Sequence, residues 1–173
     1  MTTTTTNSLF ATGKAALEFS RRMATQFLDS VPEDQLGYPP EGKLTNAIWI
    51  MGHLAHTDDY FLAALGGQER RTPDTWDGLF GMNSEPQDAS AYPPLGEIRQ
   101  AYDECRAAVL AWFESKSDEE LLEELSDDWK GFAPTYAALM SSLAIHEGMH
   151  CGQLACVRKS LGLPYLFGQD AES

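Results

Sequence analysis

The sequence is poor in basic residues and in long apolar runs, and each shortage excludes a class of partner. Lysine and arginine number 12 among 173 residues, against 26 aspartates and glutamates, which leaves a net charge of −14. Binding to nucleic acid or to an anionic membrane surface requires clustered basic side chains, and these are missing. No stretch approaches the ~18 apolar residues of a membrane-spanning helix. We therefore expect neither a nucleic-acid partner nor a membrane partner.

Cysteine is also scarce, with Cys105, Cys151 and Cys156 as the three residues of this type. An odd number at this spacing does not make a disulfide framework and is typical of reduced thiols in a cytosolic protein. Met1 and the five threonines that follow have neither the basic region nor the apolar region of a signal peptide. These observations predict a cytoplasmic location.

Helical periodicity dominates what is present. Four long segments carry apolar residues at helical intervals, over 8–30, 45–65, 93–112 and 134–161. Thr45 is the predicted N-cap of the second segment, and no segment alternates as a strand does. The sequence therefore predicts an all-α protein, a four-helix bundle.

The connections between these helices differ in length. Residues 68–92 form a long loop, and loops of this length are often lids or walls of binding sites. As the default we expect its aromatic side chains to pin it to the bundle. Ser117 opens a capping box before a short helix near 117–125, and an acidic loop follows over 126–131. With 43% hydrophobic residues, the chain can bury one core. We expect a single domain over 8–167, a disordered N-terminus over 1–7 and a flexible tail over 168–173.

All four histidines lie in two of the predicted helices. His146 and His150 are four residues apart, so their imidazoles project from one face, about 6 Å apart at Cβ. His53 lies near the centre of the apolar stripe of its helix, whereas His56 is turned about 60° from it. Two interpretations are open, namely buried histidines bonded to the protein, or a metal site. For a metal site we favour His53 over His56 as the ligand from the second helix.

Residues 146–150 also match the H-E-x-x-H pattern of zinc metallohydrolases, in which the glutamate, here Glu147, activates water. A third histidine at the required spacing is missing. After His150 the only acidic residues are Asp170 and Glu172. A metallohydrolase of this type is therefore a minor alternative.

Two segments together resemble a known family. Residues 49–55 (WIMGHLA) and 146–154 (HEGMHCGQL) are similar to the motifs of the DinB/YfiT-like superfamily of metalloenzymes. The resemblance implies a four-helix bundle with a metal bound by His53, His146 and His150. Relatives with assigned activities are transferases or isomerases that use glutathione, mycothiol or bacillithiol, which implies a low-molecular-weight thiol as co-substrate. Relatives often have arginine after the last histidine, where this chain has Cys151.

Three neutral imidazoles with an open fourth position are typical of a catalytic zinc site, although nickel, iron and cobalt also suit them. We expect a divalent metal, zinc or nickel, that lowers the pKa of water or a thiol. The predicted function is a metal-dependent transferase or isomerase that joins such a thiol to a small-molecule electrophile, with Glu147 and Cys151 as weak catalytic candidates. The alternative is a non-enzymatic bundle or homodimer with a structural metal or none.

Other residues would support the ligands. A metal-bound imidazole usually donates its second N–H to a carboxylate, a carbonyl or water. Glu147, Asp58, Asp59 and Gln153 are the nearest candidates in the sequence. Cys151 lies about 100° around the helix from the last histidine, which favours a packed, inert thiol.

Overall fold

The architecture is seen in a computed structural model that describes residues 8–40 and 45–167. The described residues form seven α-helices: α1 (Ser8–Asp29), α2 (Ala47–Gly66), α3 (Trp76–Phe80), α4 (Leu95–Glu114), α5 (Asp118–Leu122), α6 (Asp127–Lys130) and α7 (Tyr136–Ser160). Short 3-10 helices cover Glu33–Gln35 and Ala89–Ala91. In these ranges the only β-type pairing is an isolated antiparallel bridge between Glu124 and Thr135. The predicted all-α bundle is confirmed.

The four long helices pack in pairs, α1 along α7 and α2 along α4. Their apolar faces meet in two buried clusters. One includes Trp49 and Phe80 from α2 and α3, and the other includes Leu17 and Phe113 from α1 and α4. Helices α2 and α7 contact each other over a much shorter length. The histidines lie at this contact, so the bundle places them between its two helix pairs.

Two helix starts show how local sequence sets the elements. The N-cap of α2 is Asn46 and not the predicted Thr45, because Asn46 Oδ1 accepts from Trp49 N at 2.8 Å. Ser117 forms the predicted capping box with Glu120. The helix that it opens ends at Leu122, earlier than predicted, and the chain then enters the isolated bridge.

The connections over 68–92 and 126–131 each contain a short helix that the sequence patterns do not predict. The predicted acidic loop over 126–131 includes the single turn α6. The long connection over 68–92 includes α3, whose Trp76 and Phe80 are buried against the bundle. The prediction that aromatic side chains pin this segment is confirmed by their burial. Helix α3 turns out to be part of the site described below.

The predicted domain limits stay a prediction. The expectations for residues 1–7 and 168–173 concern parts of the chain outside the described residues, and the single domain over 8–167 stays a prediction. Among the described helices, none combines the length and the apolarity that crossing a bilayer requires.

Replacing Asn46 with alanine is expected to reduce the free energy of unfolding by about 1 kcal/mol, the usual effect of losing an N-cap. Asn46 is 1% exposed, and its Nδ2 also donates to the carbonyl of Gln87 at 3.2 Å. An Asn46→Asp control keeps the capping acceptor, loses that donor and adds a negative charge at the N-terminus of α2, where the helix dipole favours it. Urea denaturation of both variants measures the effect. An alanine variant as stable as the parent would show that the cap is dispensable.

Candidate metal centre

Three of the four histidines meet where α2 faces α7. His53 lies on α2, and His146 and His150 lie one turn apart on α7. The ring centroids are 5.2 Å apart for His53 and His146, 4.8 Å for His53 and His150, and 4.6 Å for the α7 pair. One nitrogen from each ring can be chosen so that all three lie within 4.8 Å of one another. The structure therefore brings together the three predicted ligands.

Hydrogen-bond partners on the far side of two rings define which nitrogens face each other. His53 Nδ1 lies 2.6 Å from the carbonyl oxygen of Phe80, and His150 Nδ1 lies 2.7 Å from Gln153 Oε1. Both oxygens only accept, so each Nδ1 carries hydrogen and each Nε2 carries a lone pair. These two Nε2 atoms lie 3.2 and 3.1 Å from His146 Nε2. One hydrogen on His146 cannot serve both, and the donor set fits a cation that accepts several lone pairs.

Burial keeps these imidazoles neutral. Burial is the main reason that the pKa of His53 is lowered to about 4; the hydrogen bond to the Phe80 carbonyl opposes the shift, and His150 and His56 add to it. Burial is also the main reason that the pKa of His146 is lowered to about 3, with His150 and His53 adding to it. The pKa of His150 is lowered too, again mainly by burial. At neutral pH all three rings are therefore uncharged, with one nitrogen free to bind a metal, and this is the form in which histidine is a ligand.

The side chains around the ligands fix their orientation. Trp49 stacks on the His53 ring with centroids 4.6 Å apart and planes 9° apart, and its Nε1 donates to Ser84 Oγ at 2.9 Å. Of the predicted orienting residues, Gln153 contacts a ligand histidine. Asp59 instead accepts hydrogen bonds from the backbone and side chain of Thr72 and from residues 70 and 71. The imidazoles of His53 and His150 are thus held by a carbonyl and an amide.

His56 lies outside the cluster of three histidines. Its Nε2 lies 2.8 Å from Asp77 Oδ1, and Arg70 Nη2 donates to the same oxygen at 3.1 Å. The predicted preference for His53 on the second helix therefore agrees with the geometry. His56 is 7% exposed and bonded to α3, which makes it a neighbour of the site.

Glu147 has a structural environment and not that of a catalytic base. It is fully buried, and its Oε2 accepts from Ser20 Oγ at 2.6 Å and from Arg106 Nη1 at 3.1 Å. Its Oε1 forms an ion pair with Arg21 Nε at 2.7 Å. Oε2 is thus hydrogen-bonded within the bundle, and Oε1 is ion-paired without hydrogen-bond geometry. The geometry gives no support to the H-E-x-x-H alternative, in which this glutamate activates water.

The sequence patterns did not indicate the ion network that surrounds Glu147. Arg106 donates to Asp58 Oδ2 at 2.8 Å and to Asp58 Oδ1 at 3.1 Å, and Arg21 bonds the same aspartate at 3.0 Å. One feature of the sequence does point to a buried ion pair on α4. Arg106 lies one helical turn after Tyr102 on the apolar stripe of α4, and a charge at a core position needs a buried partner.

Cys151 is packed in the core, as its angle on the helix predicts. It is 8% exposed, and burial raises the pKa of its thiol to about 11, with the charge of Glu147 adding to the rise. The thiol is therefore protonated at neutral pH. A protonated, buried thiol is a poor nucleophile, so this environment is that of a structural cysteine.

The chain as a whole is similar to known proteins. Residues 16–154, most of the chain, match the family described as the DinB superfamily. The chain belongs to the DinB superfamily. The recognition made from the two histidine motifs is thereby confirmed. This superfamily includes metal-binding proteins. The matched region contains all three clustered histidines, His53, His146 and His150.

A solved structure supports the same fold. A conserved protein from Enterococcus faecalis matches with a TM-score of 0.60 and 18% sequence identity, covering 88% of this chain and 96% of that chain. At this identity the likeness concerns the fold alone. The comparison with curated proteins found no match.

Proposed function

We propose that this chain is a metal-dependent enzyme that binds a divalent metal, zinc or nickel, through His53, His146 and His150. The observation that carries the proposal is the convergence of two Nε2 lone pairs on a third imidazole nitrogen at 3.1 and 3.2 Å. Without a cation, a hydrogen on His146 Nε2 serves one of the two acceptors and leaves the other without a donor from this ring. Three histidine ligands leave a coordination position for a small molecule, as catalytic zinc sites do.

The reaction that we propose is the transfer of a low-molecular-weight thiol to a small electrophile. The sulfur forms a bond to the electrophilic carbon, the leaving group departs with its electron pair, and the thiol proton passes to solvent. In an isomerisation the thiol would add and leave again. The chemistry that a divalent metal supplies is a lowered pKa for a thiol or for water. The chain's own residues hold the imidazoles neutral and fix their direction.

Elemental mass spectrometry of the untagged protein tests the metal centre. We expect near-stoichiometric metal in the parent and its loss in each of the variants His53→Ala, His146→Ala and His150→Ala. A His56→Gln variant is the matched control on the same helix and is expected to keep its metal. A parent chain that takes up no metal, even after incubation with zinc or nickel, would overturn the proposal.

Two further measurements separate an enzyme from a bundle that uses metal as a structural clip. The two apolar clusters join hydrophobic side chains from all four long helices, so chelation is expected to lower the melting temperature modestly. Complete unfolding on chelation would instead favour a structural metal, because binding energy would then be folding energy. The loaded protein is then incubated with thiols and small electrophiles, and the thioether products are measured by mass spectrometry. Transfer that requires all three histidines supports the proposed reaction.

A further inference from the structure

We infer that His56 is a positioning residue: through Asp77 it holds α3 against α2, so that the Phe80 carbonyl keeps His53 in the tautomer whose Nε2 faces the other two histidines. The inference deepens the proposed metal centre and rests on it. It gives a role to the fourth histidine, which is not a member of the ligand cluster. It also assigns a function to α3, the short helix inside the long connection.

The Phe80 carbonyl is the direct link to the metal site. It lies 2.6 Å from His53 Nδ1, and a carbonyl can only accept, so the hydrogen of the neutral ring is held on Nδ1. The lone pair of His53 is then on Nε2, the atom that faces His146 at 3.2 Å. If the carbonyl moved away, the two tautomers would approach the mixture found in a free imidazole. Only one of them presents Nε2 as a ligand.

Helix α3 needs outside support to hold that carbonyl in place. It has five residues, Trp76–Phe80, and a helix of this length is not stable by itself. Two of its polar contacts with α2 occur at matching positions. Asp77 meets His56 and Phe80 meets His53, and the two residues of each helix are separated by the same three positions. Each contact therefore fixes the register of the other.

His56 and Asp77 make the polar contact that is one turn from the metal site. His56 Nε2 to Asp77 Oδ1 is 2.8 Å, and Arg70 Nη2 reaches the same oxygen at 3.1 Å. Arg70 is itself anchored on α2 by Asp59, at 2.8 Å from Arg70 Nε. The imidazole of His56 is buried, so it comes from a rigid part of α2. Loss of the His56 contact removes the direct link between Asp77 and α2 and leaves the indirect link through Arg70 and Asp59.

The first readout is the tautomer of His53 in metal-free protein, measured by nitrogen-15 NMR of the imidazoles at neutral pH. The parent is expected to show hydrogen on Nδ1 alone. His56→Leu and Asp77→Ala are expected to show a mixture of both tautomers. His56→Gln keeps an amide donor near the position of Nε2 and is expected to restore the parent signature. Asp74→Ala, at an exposed position three residues before Asp77, is the control and should match the parent.

The second readout is Co²⁺ binding, followed by absorption spectroscopy and by competition with a chelator. His56→Leu and Asp77→Ala are expected to bind Co²⁺ roughly tenfold more weakly, the low end of the range for residues that orient metal ligands. The double variant should be no weaker than Asp77→Ala, because that single variant already removes the His56 contact together with the Arg70 contact. A merely structural role would lower the melting temperature without changing the Co²⁺ affinity or spectrum.

The outcomes separate this inference from the proposed function. A parent that binds Co²⁺, together with His56→Leu and Asp77→Ala variants that keep parental affinity and a single His53 tautomer, overturns the inference and leaves the metal centre intact. Loss of stoichiometric metal in His56→Gln while His53 keeps its single tautomer would make His56 a ligand and also overturn it. If the parent binds no metal, the proposed metal centre is wrong, and so is the role of His56 in metal binding. The NMR readout would then still report whether the pair controls the tautomer of His53.

Discussion

An Arg106→Met variant is expected to lose about 3–5 kcal/mol of unfolding free energy, the usual result of breaking a buried ion pair from one side. Arg106 is 4% exposed, and its guanidinium bonds both Asp58 and Glu147. Burial opposes its charged form, but the two carboxylates raise the pKa of Arg106 above its ordinary value, so the charge persists. Methionine keeps a long apolar side chain at this position. The lower unfolding free energy would therefore come from the unpaired carboxylates of Asp58 and Glu147 more than from a cavity.

The matched control is Arg99→Met on the same helix. Arg99 pairs with Asp29 at 2.9 Å, but both side chains are well open to solvent, with 40% and 54% of their surface exposed. Exposed ion pairs contribute little, so this variant should stay within about 1 kcal/mol of the parent. Urea denaturation at neutral pH measures both. An Arg106→Met variant no less stable than Arg99→Met would mean that water or a rearranged partner satisfies Asp58 and Glu147.

Replacing Gly52 with alanine is expected to lower the unfolding free energy by about 1–3 kcal/mol, the range for overpacking a core. A Cβ at Gly52 would overlap the Phe80 ring. That ring is fully buried and stacked on Tyr92, with centroids 5.4 Å apart, so it has little room to retreat. A displaced Phe80 would also move the carbonyl that contacts His53. The variant should therefore bind Co²⁺ more weakly as well as unfold more readily.

The opposite sign is expected for Gly148→Ala on α7. A Cβ there meets no atom within 4 Å, and alanine favours a helix interior over glycine by roughly 0.5–1 kcal/mol. Denaturation of the two metal-free variants compares the same chemical change at a packed and an open position. If Gly52→Ala were as stable as Gly148→Ala, helix α3 would be free to move away from α2. The role of Phe80 as a rigid support would then be wrong.

The order of the helices and the His146 and His150 pair were readable from the sequence. Both depend on short-range rules, since a period of 3.6 residues decides which side chains share a helix face. The capping residues show the limit of these rules. Thr45 and Asn46 are both suitable N-caps by type, and the backbone geometry selected Asn46.

By itself, the sequence determined an all-α bundle and a core-facing histidine pair on the last long helix. The tertiary structure decided which neighbours the remaining charged and histidine side chains meet. Helix α2 is buried on most of its circumference, so an angle around its axis does not say whether a residue faces α3 or α7. His53 reaches the α7 pair and His56 reaches Asp77 because α3 covers one side of α2. Glu147 lies beside two ligands in sequence, yet the arginines of α1 and α4 turn it into part of a buried ion network.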